Sequence, residues 1–230
     1  MSKFKYYLYA ALLFILLLLV LPYGWEIICN IFLSKAPILT QLDAYKWAAI
    51  GALIAMFIGH LFSKNQTWFE TFSHELTHIV VALMFFRKVH SFHAESGTGA
   101  VTTSGTNQKG IIPMALAPYC LPIFTYLLLF LRPLMNSTGS AVLDVFIGAS
   151  IVFHYLCFKH QTGNHQTDIN QYPFFFSYTY IYIARLVNVC IILVAFWPGY
   201  NVFTSMWRLF CSLYGNAAVF VEWVYNSLAQ

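Results

Sequence analysis

Charge is what this sequence has least of. Only 9% of its 230 residues are Asp, Glu, Lys or Arg, against about 25% in an average soluble domain. So little charge cannot clothe a water-soluble globule of this size. Disorder is excluded as well, because 60% hydrophobic and 19% aromatic residues cannot stay solvated. The net charge is +4, yet the largest basic cluster is the pair Arg87-Lys88, which excludes the concentrated basic surface that nucleic acid requires. The five cysteines, Cys29, Cys120, Cys157, Cys190 and Cys211, contain no C-x-x-C pair, so cysteine supplies neither a metal site nor a redox motif. Adjacent histidines are absent, which argues against a di-iron oxygenase. Paired glutamates are absent, which argues against a CAAX-type glutamate protease. No small-x-small cleavage pattern follows the apolar run behind Lys3 and Lys5, so that run reads as a retained first span rather than a signal peptide.

Long apolar runs dominate what is there, and the mean hydropathy is +0.67. Six runs are bounded by charges or turn residues: roughly 6–28, the stretch between Lys46 and Lys64, 67–86, Gly110 to Leu131, 140–158 and 172–197. Each is near the about 20 residues that cross about 30 Å of hydrocarbon as a helix. The expected fold is therefore an all-α polytopic membrane protein with about six transmembrane helices, a single domain over 1–230 embedded in the lipid bilayer. The tail from 200 to 230 carries Trp207, Tyr214, Trp223 and Tyr225 and reads as a helix suited to a membrane interface, or as a marginal seventh span. Lysines and arginines divide four against six between the two sides, too evenly to give an orientation.

Two segments break the apolar pattern. Val89 to Thr106 has β-prone stretches around Gly97-Thr98-Gly99, the signature of a β-hairpin. Lys159 to Tyr172 is polar and reads as a non-helical, re-entrant stretch, because irregular backbone at membrane depth is tolerated only when buried in protein or lining a wet cavity.

The third run contains His74-Glu75-Leu76-Thr77-His78. Histidines at i and i+4 share one helix face and can grip one metal ion. The adjacent Glu75 can reach a metal-bound water as general base, the arrangement that a zinc hydrolase needs. Ionisable groups inside a span are costly and mark function. A hydrolytic zinc site takes three protein ligands and one open position. The third ligand is open among Asp144, Asp168, His154, His160, His165, Glu95 and Glu222. Gln166 and Asn170 are candidates for orienting ligands or holding substrate, as are His154 and His165. His60, His90 and His93 read as membrane-boundary or hairpin-surface residues.

On these residues the chain resembles the site-2 protease class of intramembrane zinc metalloproteases, peptidase family M50, and especially its compact, PDZ-less, M50B-like branch. The resemblance covers about 65–185: the His74–His78 motif in a transmembrane helix, the Gly-containing β-segment, the helix near Pro113 with Ala117-Pro118-Tyr119, and a later Asp in a polar stretch. It implies Zn²⁺ held by His74, His78 and Asp168, Glu75 as the catalytic base, and a membrane-protein or peptide substrate that pairs with the hairpin edge. It also implies a bacterial plasma (inner) membrane. The pattern differs around the third ligand, where Asp168 is followed by Ile169 rather than glycine and Pro173 comes after it rather than prolines just upstream. Two other readings remain: a membrane metal-binding transporter or scaffold without peptidase activity, and a membrane zincin whose third ligand is Glu222.

Overall fold

Every long apolar run becomes helical, but the helices are unequal. The computed structural model describes residues 3–32, 42–62, 68–104, 111–162, 166–197 and 199–228. In chain order the elements are α1 (Lys3–Phe32), α2 (Lys46–Phe62), α3 (Trp68–Met84), β1 (Lys88–Glu95), β2 (Thr98–Ser104), α4 (Ile111–Leu116), α5 (Ile123–Leu131), α6 (Ser137–Gln161), α7 (Thr167–Asn170), α8 (Phe174–Ala195) and α9 (Val202–Leu228).

Three of the described helices are long and apolar enough to cross a membrane alone: the stretch Lys5–Phe32 within α1, α6 and α8. The fourth apolar run does not form one straight span. It breaks into Ile111–Tyr119 and Ile123–Leu134, inclined at 85°. The break has a local cause. Pro118 sits in a 3₁₀ turn and Pro122 caps α5, and neither has an N–H to continue a helical ladder. Counting that bent pair as one span raises the total to four, not the six expected from hydropathy. The second and third runs form α2 and α3, each only 17 residues long. The tail forms α9, a single helix of 27 residues that is not among the helices able to cross alone. Arg208 on α9 pairs with Glu26 on α1, and Asn216 Nδ2 donates to the Leu19 carbonyl at 2.9 Å. Trp207, Tyr214, Trp223 and Tyr225 remain exposed along it.

The bundle closes around α1, α5, α6, α8 and α9, whose Val20, Ile27, Leu129, Ile147, Val194 and Val202 belong to one buried cluster. α2 and α6 approach at a reciprocal glycine contact. A Cβ on Gly51 would strike the Val145 carbonyl, and one on Gly148 would strike the Ala48 carbonyl. Small residues are what permit two helical backbones to come this close.

The expected hairpin is present. β1 and β2 pair antiparallel from Lys88↔Ser104 to Glu95↔Thr98, with an irregularity between Val89 and Ser91. It is docked on α3: Trp68 Nε1 donates to the Ala94 carbonyl at 3.0 Å, Gly97 N–H donates to Thr71 Oγ1 at 3.3 Å, and Phe72 meets Phe92 edge-to-face at 5.8 Å. The polar stretch is less irregular than its composition suggests. α6 runs on through Gln161, and Thr167–Asn170 forms the short helix α7.

Candidate metal centre

α3 presents its polar face to the protein. Glu70, Ser73, His74, Glu75, Thr77 and His78 are all buried. The spacing of four places His74 and His78 one above the other, with ring centroids 4.9 Å apart. Their Nε2 atoms lie 3.5 and 3.3 Å from the same atom, Asp168 Oδ2. His74, His78 and Asp168 offer ligand atoms all within 4.8 Å of one another, and they form the one such group among the described residues.

Hydrogen bonds fix which ring nitrogen faces inward. Gln161 Nε2 donates to the Glu70 carbonyl at 3.1 Å, because a carbonyl can only accept. That leaves Gln161 Oε1 against His74 Nδ1 at 2.9 Å, so His74 carries its proton on Nδ1. His78 Nδ1 lies 2.8 Å from the Met114 carbonyl and carries its proton there for the same reason. With both imidazoles neutral, as metal ligands must be, the two Nε2 atoms turn lone pairs toward a carboxylate, and three acceptors converge in an arrangement that calls for a cation.

Zinc fits this donor set. Neutral imidazole nitrogens and a carboxylate are ordinary zinc ligands, and bonds of about 2.0–2.1 Å in a tetrahedron put ligand atoms about 3.3 Å apart. The two observed separations, 3.3 and 3.5 Å, match that spacing. They exceed the usual 2.7–3.2 Å or so of a direct N–H···O bond. The Nδ1 contacts are the outer partners that metal-bound histidines require for orientation.

Asp168 is held in place by its neighbour. Ile169 points the other way and is buried with Leu116, Tyr119, Phe176 and Ile181. Its carbonyl accepts from Ser177 Oγ at 2.9 Å. Where the resembled pattern has glycine, this chain has an apolar anchor that fastens α7 to α8. Tyr119, fully buried, packs edge-on against the His74 ring at 5.2 Å.

Glu75 lines the same cleft, a cavity of about 540 Å³ between α3, β2 and α7. Gly99 on β2 lies flush against it. A Cβ there would collide with the Glu75 carboxyl group, so glycine is what lets β2 backbone reach this carboxylate.

The other candidates fall elsewhere. Asp144 pairs with Arg132, Oδ1 to Nε at 2.7 Å. His160 Nδ1 contacts Glu70 Oε1 at 3.1 Å, behind the site. Glu95 sits on exposed β1 beside His93, and His90 is exposed as well. Glu222 is exposed on α9 and has no part in the cluster. His154 lines a different cavity. Gln166 lines the cleft and accepts from the Tyr119 hydroxyl at 3.4 Å. Asn170 is exposed and does not line the cleft. His165 and the side chain of His60 lie outside the described residues.

Gln161 and the Met114 carbonyl had no functional reading from sequence. Gln161 stood in the polar stretch, but its partner is 87 residues away. A backbone carbonyl leaves no mark in sequence at all.

A family model described as Peptidase M50B-like matches residues 47–164. The match takes in the His74–His78 motif and stops just short of Asp168, which the fold alone brings to the histidines. No significant match exists among curated proteins or among solved structures. The matched interval is just over half of the chain, and the protein therefore belongs to the Peptidase M50B-like family.

Proposed function

We propose that this chain is an intramembrane zinc metalloprotease that hydrolyses peptide bonds of membrane-embedded substrates. One observation carries the reading: two histidine lone pairs and a carboxylate converge beside Glu75, in a cleft buried within an apolar helical protein. Membership of a peptidase family supports the reaction class. His74, His78 and Asp168 would hold a zinc ion, which when bound would supply a Lewis acid and lower the pKa of a water toward about 7. Glu75 takes the proton of the attacking water and returns it to the leaving amine. Gln161 and the Met114 carbonyl keep the two imidazoles in the tautomer that the reaction needs.

A helical substrate must unwind before a carbonyl can be attacked, because its backbone groups are internally bonded. β2 lines the cleft and touches Glu75 through Gly99. We assign its outer edge to hold the unwound segment by strand addition. Six crossings remain our reading of the topology, with α2 and α3, at 17 residues, near the short limit of about 17 for a span. The zincin alternative loses its ligand, since Glu222 is exposed on α9.

The test is cleavage of a reconstituted membrane peptide by the wild type and by Glu75→Gln. The expected result is a fall of about 10²–10⁴ in rate with metal content unchanged. Full activity in Glu75→Gln would remove the assigned base and with it the proposed mechanism.

A further inference from the structure

Arg185 sits near the middle of α8, one of the three helices able to cross alone. A cation at that depth is costly and marks a function or a partner. Two other arginines have carboxylates: Arg132 pairs with Asp144 and Arg208 with Glu26. Among the described residues Arg185 has no ion pair and no hydrogen bond. Its guanidinium lies over the Phe158 ring, 3.9 Å from the centroid, with Tyr155 at 6.0 Å. Those rings satisfy its flat face. They leave the in-plane N–H groups, which can only donate, without an acceptor.

A second polar group is unsatisfied nearby. His154 lies one helical turn before Phe158 on α6, and its Nε2 is sealed from solvent with no hydrogen-bond partner among the described residues. Arg185 and His154 line one cavity of about 680 Å³ between α2, α6 and α8, with Lys159 also lining it and Met56, Ile151 and Val189 among its apolar walls. Asn188 cannot relieve either group. Its amide donates to the Cys120 and Ala184 carbonyls, and its oxygen accepts from the Tyr126 hydroxyl. This cavity shares no lining residue with the catalytic cleft.

We propose that this cavity binds an anionic lipid. The oxyanion head accepts from Arg185, Lys159 adds a second positive charge, and the alkyl chain lies along the apolar wall. The ligand chemistry is an oxyanion on a hydrocarbon chain, which a phospholipid phosphate or a fatty-acid carboxylate can supply. The site does not depend on the metal reading.

The test is native mass spectrometry of the full chain in neutral detergent, titrated with phosphatidylglycerol, phosphatidylcholine or oleate. The expected result is a preference of roughly tenfold for an anionic species over phosphatidylcholine. Binding of phosphatidylglycerol identifies the phosphate as the head, and binding of oleate alone identifies the carboxylate. The preference should vanish in Arg185→Gln, fall in Lys159→Gln, and persist in part in Arg185→Lys, all with unchanged metal content. Should Arg185→Gln fail to fold, the Lys159→Gln and Arg185→Lys pair carries the same comparison. Equal binding of all three lipids by the wild type, or an anionic preference indifferent to these substitutions, would overturn the proposal.

Discussion

At the scale of the residue, the site depends on which atom of each histidine carries the proton. Gln161 decides this for His74, because its own amide is already committed to the Glu70 carbonyl. Replacing Gln161 by Leu keeps the bulk but removes the acceptor, freeing the imidazole to rotate or to change tautomer. Loss of such an outer partner typically weakens metal binding by about 10–100-fold. A competition titration of zinc against a chelator should show that loss in Gln161→Leu, with the helical circular dichroism unchanged. Wild-type affinity in the variant would mean that the Gln161 contact does not orient His74.

At the scale of the element, the short helix α7 has a single purpose that its sequence explains. Four residues cannot form a stable helix alone, so α7 depends on Ile169, which is 1% exposed, and on the Ser177 bond to the Ile169 carbonyl. Truncating a buried Ile to Ala costs about 2–5 kcal/mol. In Ile169→Ala much of that falls on α7 itself, so zinc affinity should drop although no ligand has changed; unaltered zinc affinity would show that α7 is positioned by something else. The elements also show what sequence could and could not convey. The pairing of His74 with His78 was legible because it is local, a matter of helical spacing. The hairpin was legible because a glycine turn between β-prone stretches is local too. Asp168 could be named only through resemblance, since nothing in Gln166-Thr167-Asp168-Ile169 says that it meets a helix 90 residues earlier. Six crossings are only partly visible in the helices, for a related reason. Hydropathy adds up residues along a run and registers neither the bend at Pro118 and Pro122 in the fourth run nor that α2 and α3 stop at 17 residues each.

At the scale of the whole molecule, the scarcity of charge gives the few ion pairs structural weight. Arg132, at the end of the bent pair, reaches Asp144 on α6 and the Ala195 carbonyl closing α8, so one guanidinium ties three helices. Removing one partner of a buried pair costs about 3–5 kcal/mol, because the other charge is left uncompensated. Asp144→Ala should therefore lower the thermal unfolding temperature in detergent, while the folded fraction still binds zinc. An unchanged unfolding temperature would mean that Arg132 finds water or lipid instead. The site itself is assembled from α3, α6, α7 and the carbonyl of Met114 on α4, segments spread over nearly a hundred residues. It exists only when the bundle is closed. The most direct test is the metal content of the purified full chain beside Asp168→Ala. About one zinc per chain in the wild type, lost in Asp168→Ala, is the expected result. A wild type that binds no zinc when zinc is supplied, or an Asp168→Ala variant that holds it as tightly, would contradict the proposed centre.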